Sequence, residues 1–315
     1  MKKFYLVLLA LSVCFISFPQ ISEITRLSVQ NPSQSIKESA PVWLSENEII
    51  IFYVNESKDT IFSTRSTNRG KNWDQPKVVQ TVQLIYPQDA LYLTALRKST
   101  GRIFLAWSVL NESMKLIYSN DNGNSWLNPI SILGGGSLPV FTKSSYYLNL
   151  SEWISGEICL SFYSNGASKS YYKLSFDNGV TWSLNPIEFP ASAQYKTKEL
   201  TIISTGLNSL LAVYENSVTG LGGIYSRLST DYGLNWSDPI PVINEIYYES
   251  RPRVAKLANG NILLAYQNDK VEYIASFSQT DIYYKLSEDQ GESWLPSSRF
   301  TNYVGEDISF NVSAF

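Results

Sequence analysis

Runs of alternating apolar and polar residues recur along most of the chain, each bounded by Gly, Asn, Asp, Ser or Pro. Tyr171-Tyr172-Lys173-Leu174-Ser175 and Leu116-Ile117-Tyr118-Ser119 show the period of two that a half-buried strand requires. Arg253 to Leu257 and Ile262 to Tyr266 are two such runs joined by Ala258-Asn259-Gly260-Asn261, which predicts a hairpin. The same hairpin is predicted around Gly101, Gly156 and Gly206. A third alternating run follows, then a turn, then a short strand opened by proline, as at Pro129 and Pro239. Each unit is therefore predicted to hold four strands.

The turn before the fourth strand carries an octapeptide repeat. Ser66 to Trp73, Ser119 to Trp126, Ser175 to Trp182, Ser229 to Trp236 and Ser287 to Trp294 all fit S-x-[DN]-x-G-x-[NST]-W. The closing tryptophans stand 53, 56, 54 and 58 residues apart, so each copy marks one structural repeat. Side chains at the third position, Asn68, Asp121, Asp177, Asp231 and Asp289, suit acceptance of backbone N–H groups within the turn. Gly70, Gly123, Gly179, Gly233 and Gly291 supply the left-handed conformation of a tight turn. Trp73, Trp126, Trp182, Trp236 and Trp294 have the bulk to plug an apolar gap beside it. Four strands per repeat of this length predict a propeller blade.

These octapeptides resemble the Asp-box, or BNR, repeats of the sialidase-like six-bladed β-propellers, and the resemblance covers nearly all of the chain beyond its N-terminal segment. It implies an all-β fold of six four-stranded blades, of which the five boxes account for five. Glu306 to Phe315 matches the first strand of a blade, as Gln88 to Leu96 does, so the sixth blade is expected to be incomplete. In the other arrangement the run Ile24 to Val29 closes an imperfect ring. The first box departs from the family pattern by carrying Asn68 in place of Asp. In that family the boxes stabilise turns on the face away from the active site, so they report on fold rather than chemistry.

Composition narrows function more than fold. Only 17% of the 315 residues are charged and 14% are aromatic, which excludes a disordered acidic chain, a coiled coil and a collagen-like rod. A net charge of -3 gives no basic face for nucleic acid. The absence of histidine excludes a His-based triad and His-ligated metals, and no metal or cofactor is expected. Lys2, Lys3 and the apolar run Phe4 to Phe18 read as a secretory signal peptide, residues 1–22, with cleavage between Ser17 and Ser22. The propeller then occupies 23–315, secreted and without a transmembrane segment. Cys14 leaves with the signal, and Cys159, in an apolar run, is expected to be a buried small residue rather than a nucleophile.

In a propeller the turns joining strands 1 to 2 and 3 to 4 share one face, and ligands meet the other. That rule puts Arg65, Arg69, Arg97, Arg102 and Arg227 on the turn side. On the ligand side stand Asp89, Glu199 and Glu215 as candidate acid/base carboxylates and Arg251 as a holder of a ligand carboxylate or sulfate. Lys196, Lys198, Glu249, Arg253 and Asp269 accompany them. Each second strand ends in an aromatic, Tyr53, Trp107, Tyr163, Tyr214 or Tyr266. In four of the five an asparagine follows two residues later, at Asn55, Asn165, Asn216 and Asn268. Aromatic faces and amides suit a sugar, whose ring offers C–H faces and hydroxyls together. Alternatively, the aromatics fill wedges between blades and the asparagines start turns.

The resemblance invites sialidase activity, which in that family uses three arginines from different blades, an Asp acid/base and a Tyr nucleophile activated by Glu. The Arg-Ile-Pro element is absent, since the first blade reads Glu38-Ser39-Ala40-Pro41-Val42-Trp43. Of nine arginines only Arg251 and Arg253 fall on the ligand side, both in one unit. Exo-α-sialidase activity is therefore not expected. Two functions remain: a non-catalytic module binding carbohydrate or an extracellular protein, or an exo-glycosidase with an altered catalytic set. Two carboxylates facing each other across the axis at roughly 5 to 10 Å would favour the enzyme, and a mouth lined by Tyr, Asn and Ser without facing carboxylates would favour the module.

Overall fold

The computed structural model describes residues 38–54, 57, 59–82, 91–109, 114–133, 145–164, 167–191, 196–216, 223–243, 248–270 and 279–300. They belong to two compact units that divide between Ser145 and Tyr146. In the first unit, β1 (Ser39–Trp43), β2 (Ile49–Val54), β3 (Thr60–Ser66) and β4 (Lys77–Thr81) form one antiparallel sheet in chain order. A second sheet follows in β5 (Leu91–Arg97), β6 (Ile103–Val109), β7 (Lys115–Ser119) and β8 (Ile130–Ser131). The second unit holds three more sheets of the same order. The first is β9 (Ser145–Glu152), β10 (Ile158–Ser164), β11 (Lys169–Ser175) and β12 (Ile187–Glu188). The next is β13 (Thr197–Ser204), β14 (Leu210–Asn216), β15 (Ile224–Ser229) and β16 (Ile240–Ile243). The last is β17 (Tyr248–Lys256), β18 (Ile262–Lys270), β19 (Gln279–Ser287) and β20 (Ser298–Arg299).

The architecture is all-β, with five four-stranded blades, as the five boxes predict. The six-blade expectation is not met among the described residues. Its expected beginning, 306–315, lies outside them, as do the N-terminal segment 1–22 and the run Ile24 to Val29. Second strands sit deepest: β2, β6 and β10 are buried at every position, which is why they read as continuous Ile, Val, Leu and aromatic runs rather than alternating ones. Fourth strands are short, and β8, β12 and β20 have two residues each, none of them buried. Edges that short offer little to an intruding strand.

Each box closes in the same way. The serine Oγ accepts the N–H of the box glycine at 2.8 Å in all five copies. The third-position oxygen accepts both the serine hydroxyl and the N–H four residues on, as in Ser125 N to Asp121 Oδ1 at 2.9 Å and Thr181 N to Asp177 Oδ1 at 2.8 Å. Hydroxyl donors hold these carboxyls well below their ordinary range: Ser119 and Ser125 at Asp121, Thr181 at Asp177, Ser293 at Asp289. Asn68 makes the shared bond equally well, its Oδ1 accepting the Asn72 N–H at 2.8 Å. Asp121→Asn is therefore expected to melt between the parent and Asp121→Ala, because it keeps the backbone bond and loses the second acceptor oxygen. A thermal melt of the three proteins at pH 7 checks this order.

The box tryptophans join neighbouring blades within each unit. Trp126 meets Phe52 of the preceding blade edge-on, with centroids 5.4 Å apart, and Trp236 meets Phe189 at 5.0 Å. Cys159 is 1% exposed, and burial pushes its thiol up, so it is a packing residue as expected.

Candidate functional site

In the fourth blade, β13 enters and β14 leaves at the end opposite the box, where Thr197 faces Asn216 and Lys198 faces Glu215 across the ladder. In the fifth, Ser250 faces Gln267 at the corresponding end of β17 and β18. Both inner strands break register there, between Lys198 and Thr201 and between Ser250 and Arg253. At the breaks Glu199 has φ 50° and Arg251 φ 55°. A left-handed backbone at a residue with a bulky side chain costs on the order of 1 kcal/mol or more and recurs at functional sites.

The bulges bring charge together. The Glu199 and Glu215 carboxylates both accept the backbone N–H of Arg251. Glu199 is 3% exposed, and its Oε2 is buried without a hydrogen-bond partner. Glu215 is half-buried. Burial raises both carboxyls, against the pull of Arg253, Arg251 and Lys198 on Glu199 and of Lys198 and Arg251 on Glu215. Burial, and then the charge of Glu199, push Glu215 up to about 7. Such a pair titrates as a unit rather than as two separate carboxyls. Lys198 reaches back to place its Nζ 5.8 Å from the ring centre of Tyr163.

Of the sequence candidates, Glu199, Glu215 and Arg251 meet at one place, with Lys198 and Arg253 beside them. Asp89 lies outside the described residues, as do Asn55, Asn165 and the side chains of Glu249 and Asp269. The second-strand aromatics are core residues: Tyr53, Trp107, Tyr163, Tyr214 and Tyr266 are 4%, 2%, 6%, 0% and 1% exposed. Tyr53 stacks on Phe62, Tyr214 on Tyr225 and Tyr266 on Tyr283, each its cross-strand partner. Asn216 closes its blade by accepting the Lys196 N–H at 3.1 Å, whereas the buried Asn268 Oδ1 has no partner.

The turn-side arginines do structural work. Arg65 pairs with Glu48 at 3.0 Å, Arg69 with Glu46, and Arg227 donates to the Ser237 carbonyl at 2.8 Å. Arg102 lies over the Tyr118 ring at 4.2 Å. Arg299 corrects the count of ligand-side arginines: it pairs with the buried Asp281 near the ligand end of the fifth blade. It also passed over Tyr147, whose φ is 56°. Among the described residues no group of three His, Cys, Asp or Glu is placed to hold a metal.

Solved structures of similar fold include enzymes. A Dyadobacter fermentans protein of unknown function is 14% identical at TM-score 0.66, over 88% of this chain and 85% of that one. The α-L-arabinanase of Penicillium chrysogenum, complexed with arabinobiose, is 18% identical at TM-score 0.56, over 69% of this chain and 68% of that one. A sialidase of Streptococcus pneumoniae is 12% identical at TM-score 0.57, over 82% of this chain but only 60% of its own. At these identities the likeness shows the fold. No curated protein matches the chain. Residues 106–307 match the model of the BNR repeat-like domain, so the chain belongs to that family and has the sialidase-like β-propeller fold.

Proposed function

We propose that this protein is a glycoside hydrolase whose proton source is the Glu199–Glu215 pair. The observation that carries the reading is the convergence of two carboxylates on the Arg251 N–H, one buried and one half-buried, with Glu215 raised to about 7. A general acid works best with a pKa near the working pH, and Glu215 is poised there by burial and the charge of Glu199. In the step it supports, Glu215 gives its proton to the leaving oxygen as the glycosidic C–O bond breaks. Water adds hydroxyl to the anomeric carbon, and its remaining proton returns to the pair. The two carboxyls interact, so they lose and recover the proton as one unit. The glycoside-cleaving enzymes among the fold's relatives support the class of reaction without naming the sugar.

The test is a screen of 4-nitrophenyl glycosides and of arabinobiose. Turnover whose kcat/KM falls as pH rises through about 7 is expected, because deprotonation of Glu215 removes the acid. Glycan binding without turnover on any of them would favour the non-catalytic module instead.

A further inference from the structure

Nine non-glycine residues among those described have positive φ. Arg69, Asn122, Asn178, Tyr232 and Gln290 belong to the box turns, and Ser168 to a turn between strands. The other three, Tyr147, Glu199 and Arg251, lie inside strands, spaced 52 residues apart. They are equivalent in register. Each stands six residues before the residue that opens its 1–2 turn, Trp153, Thr205 or Leu257, whose N–H donates to a carbonyl four residues on. A buried apolar residue follows each of the three: Leu148, Leu200 and Pro252.

The feature does not serve the repeat. In the first unit β1 pairs with β2, and β5 with β6, without a break in register, and Tyr92, the equivalent residue of β5, has no positive φ. Only the blades of the second unit carry the strain, and two of its three bearers already meet at the carboxylate pair. Inner strands of successive blades in this unit contact one another at a constant offset of 51. Ser151 Oγ donates to Ile202 O at 2.6 Å, Thr201 Oγ1 to Pro252 O at 3.5 Å, and Lys256 Nζ to Thr205 O at 2.8 Å. That offset sets Tyr147 against Lys198 and beside Glu199, as Glu199 is set beside Arg251.

We infer that Tyr147 is a ligand-contacting residue of this site, presenting its half-buried ring to the C–H face of a sugar bound between the left-handed positions. The inference rests on the reading of the Glu199–Glu215 site as a sugar site. Glu199 supplies the buried carboxylate, Arg251 the N–H and the cation, and Tyr147 the apolar platform that neither can offer.

The test uses the full chain with Tyr147→Phe, Tyr147→Ala and Tyr147→Gly on the 4-nitrophenyl glycoside that the parent cleaves best. Tyr147→Ala should raise KM about ten-fold with kcat little changed, since stacking is lost equally from bound substrate and transition state. Tyr147→Phe should match the parent, and the upper pH limb should stay where it is. A KM for Tyr147→Ala equal to the parent's overturns the inference and leaves the hydrolase reading standing. If the parent cleaves nothing, the hydrolase reading fails, and binding of arabinobiose by isothermal titration decides the inference. Weaker binding by Tyr147→Ala sustains it, and either equal binding or none by the parent overturns it. Folding is read separately: Tyr147→Gly should melt above Tyr147→Ala, because glycine accepts the left-handed backbone, and the reverse order overturns the left-handed backbone on which the inference stands.

Discussion

Glu215→Gln is expected to lose at least about a hundred-fold in kcat/KM while becoming more stable than the parent above pH 7. The two effects have one cause. Folding moves the Glu215 carboxyl from an ordinary 4.5 to about 7. Between those values the native state binds more protons than the unfolded chain, so the parent loses stability as pH rises through that window and stays at the lower plateau above it. The neutral amide has no such term. At full value the shift corresponds to about 3 kcal/mol at pH 8, and coupling to Glu199 leaves about 2 kcal/mol as a working figure. That is roughly 3 °C in Tm for a chain of this size. Below pH 4.5 both proteins carry a neutral side chain there, and the difference should vanish.

Catalysis should respond in the opposite direction. Glutamine cannot give a proton to the leaving oxygen, and the loss should be larger for an unactivated disaccharide than for a nitrophenyl glycoside, whose leaving group needs less protonation. Melting curves at pH 4.5 and 8, with kcat/KM on both substrate types, test the pair of claims. Equal melting temperatures at pH 8 would show that Glu215 is not raised. Unchanged turnover by a folded Glu215→Gln would remove it from the reaction.

How far the sequence leads depends on whether a feature has its own residue types. The blades are legible because the turn that joins strands 3 and 4 needs a hydroxyl, a carboxyl or amide, a glycine and a tryptophan in fixed order, and Ser119, Asp121, Gly123 and Trp126 announce it. Face assignment follows from strand order alone, which is why Glu199, Glu215 and Arg251 fall on the ligand side from sequence. Tyr214 and Tyr266 show the limit of reading aromatics: a repeating ring next to a repeating amide looks like a sugar platform, yet both are 1% exposed or less. The left-handed positions have no signature at all. Ser145 to Leu150, Thr197 to Ile202 and Glu249 to Val254 share no residue type at the left-handed position, because tertiary packing rather than local preference imposes the conformation. Nothing in the sequence therefore marks Tyr147 as the counterpart of Glu199 and Arg251.

Gly291→Ala is expected to destabilise the second unit by about 3 kcal/mol, where Gly260→Ala costs about 1 kcal/mol. Both glycines close turns with positive φ, +97° and +90°, so the backbone penalty is common to them. Their surroundings differ. A Cβ at Gly260 meets nothing within 4 Å, whereas one at Gly291 falls 2.7 Å from Leu211 Cδ1, 2.8 Å from Cδ2 and 3.2 Å from Cγ. Leu211 lies in β14 of the preceding blade and is fully buried among Val213, Ile224, Val242 and Leu264, with Trp294 of the same box packed against that cluster. It has no free space into which to turn, so the added methyl must push the adjoining blades apart or force a rotamer. The box glycine is thus a blade-spacing residue as well as a turn residue, and the same approach recurs at Gly123 against Ile50 at 3.1 Å and Gly233 against the Tyr172 hydroxyl at 3.1 Å. A double-mutant cycle separates the two contributions. Leu211→Ala opens a cavity of its own, but in its presence Gly291→Ala should cost only the backbone share, close to Gly260→Ala. Denaturant melts of the four proteins would give a coupling of about 2 kcal/mol, and strict additivity would place the whole cost in the turn and none in the contact between blades.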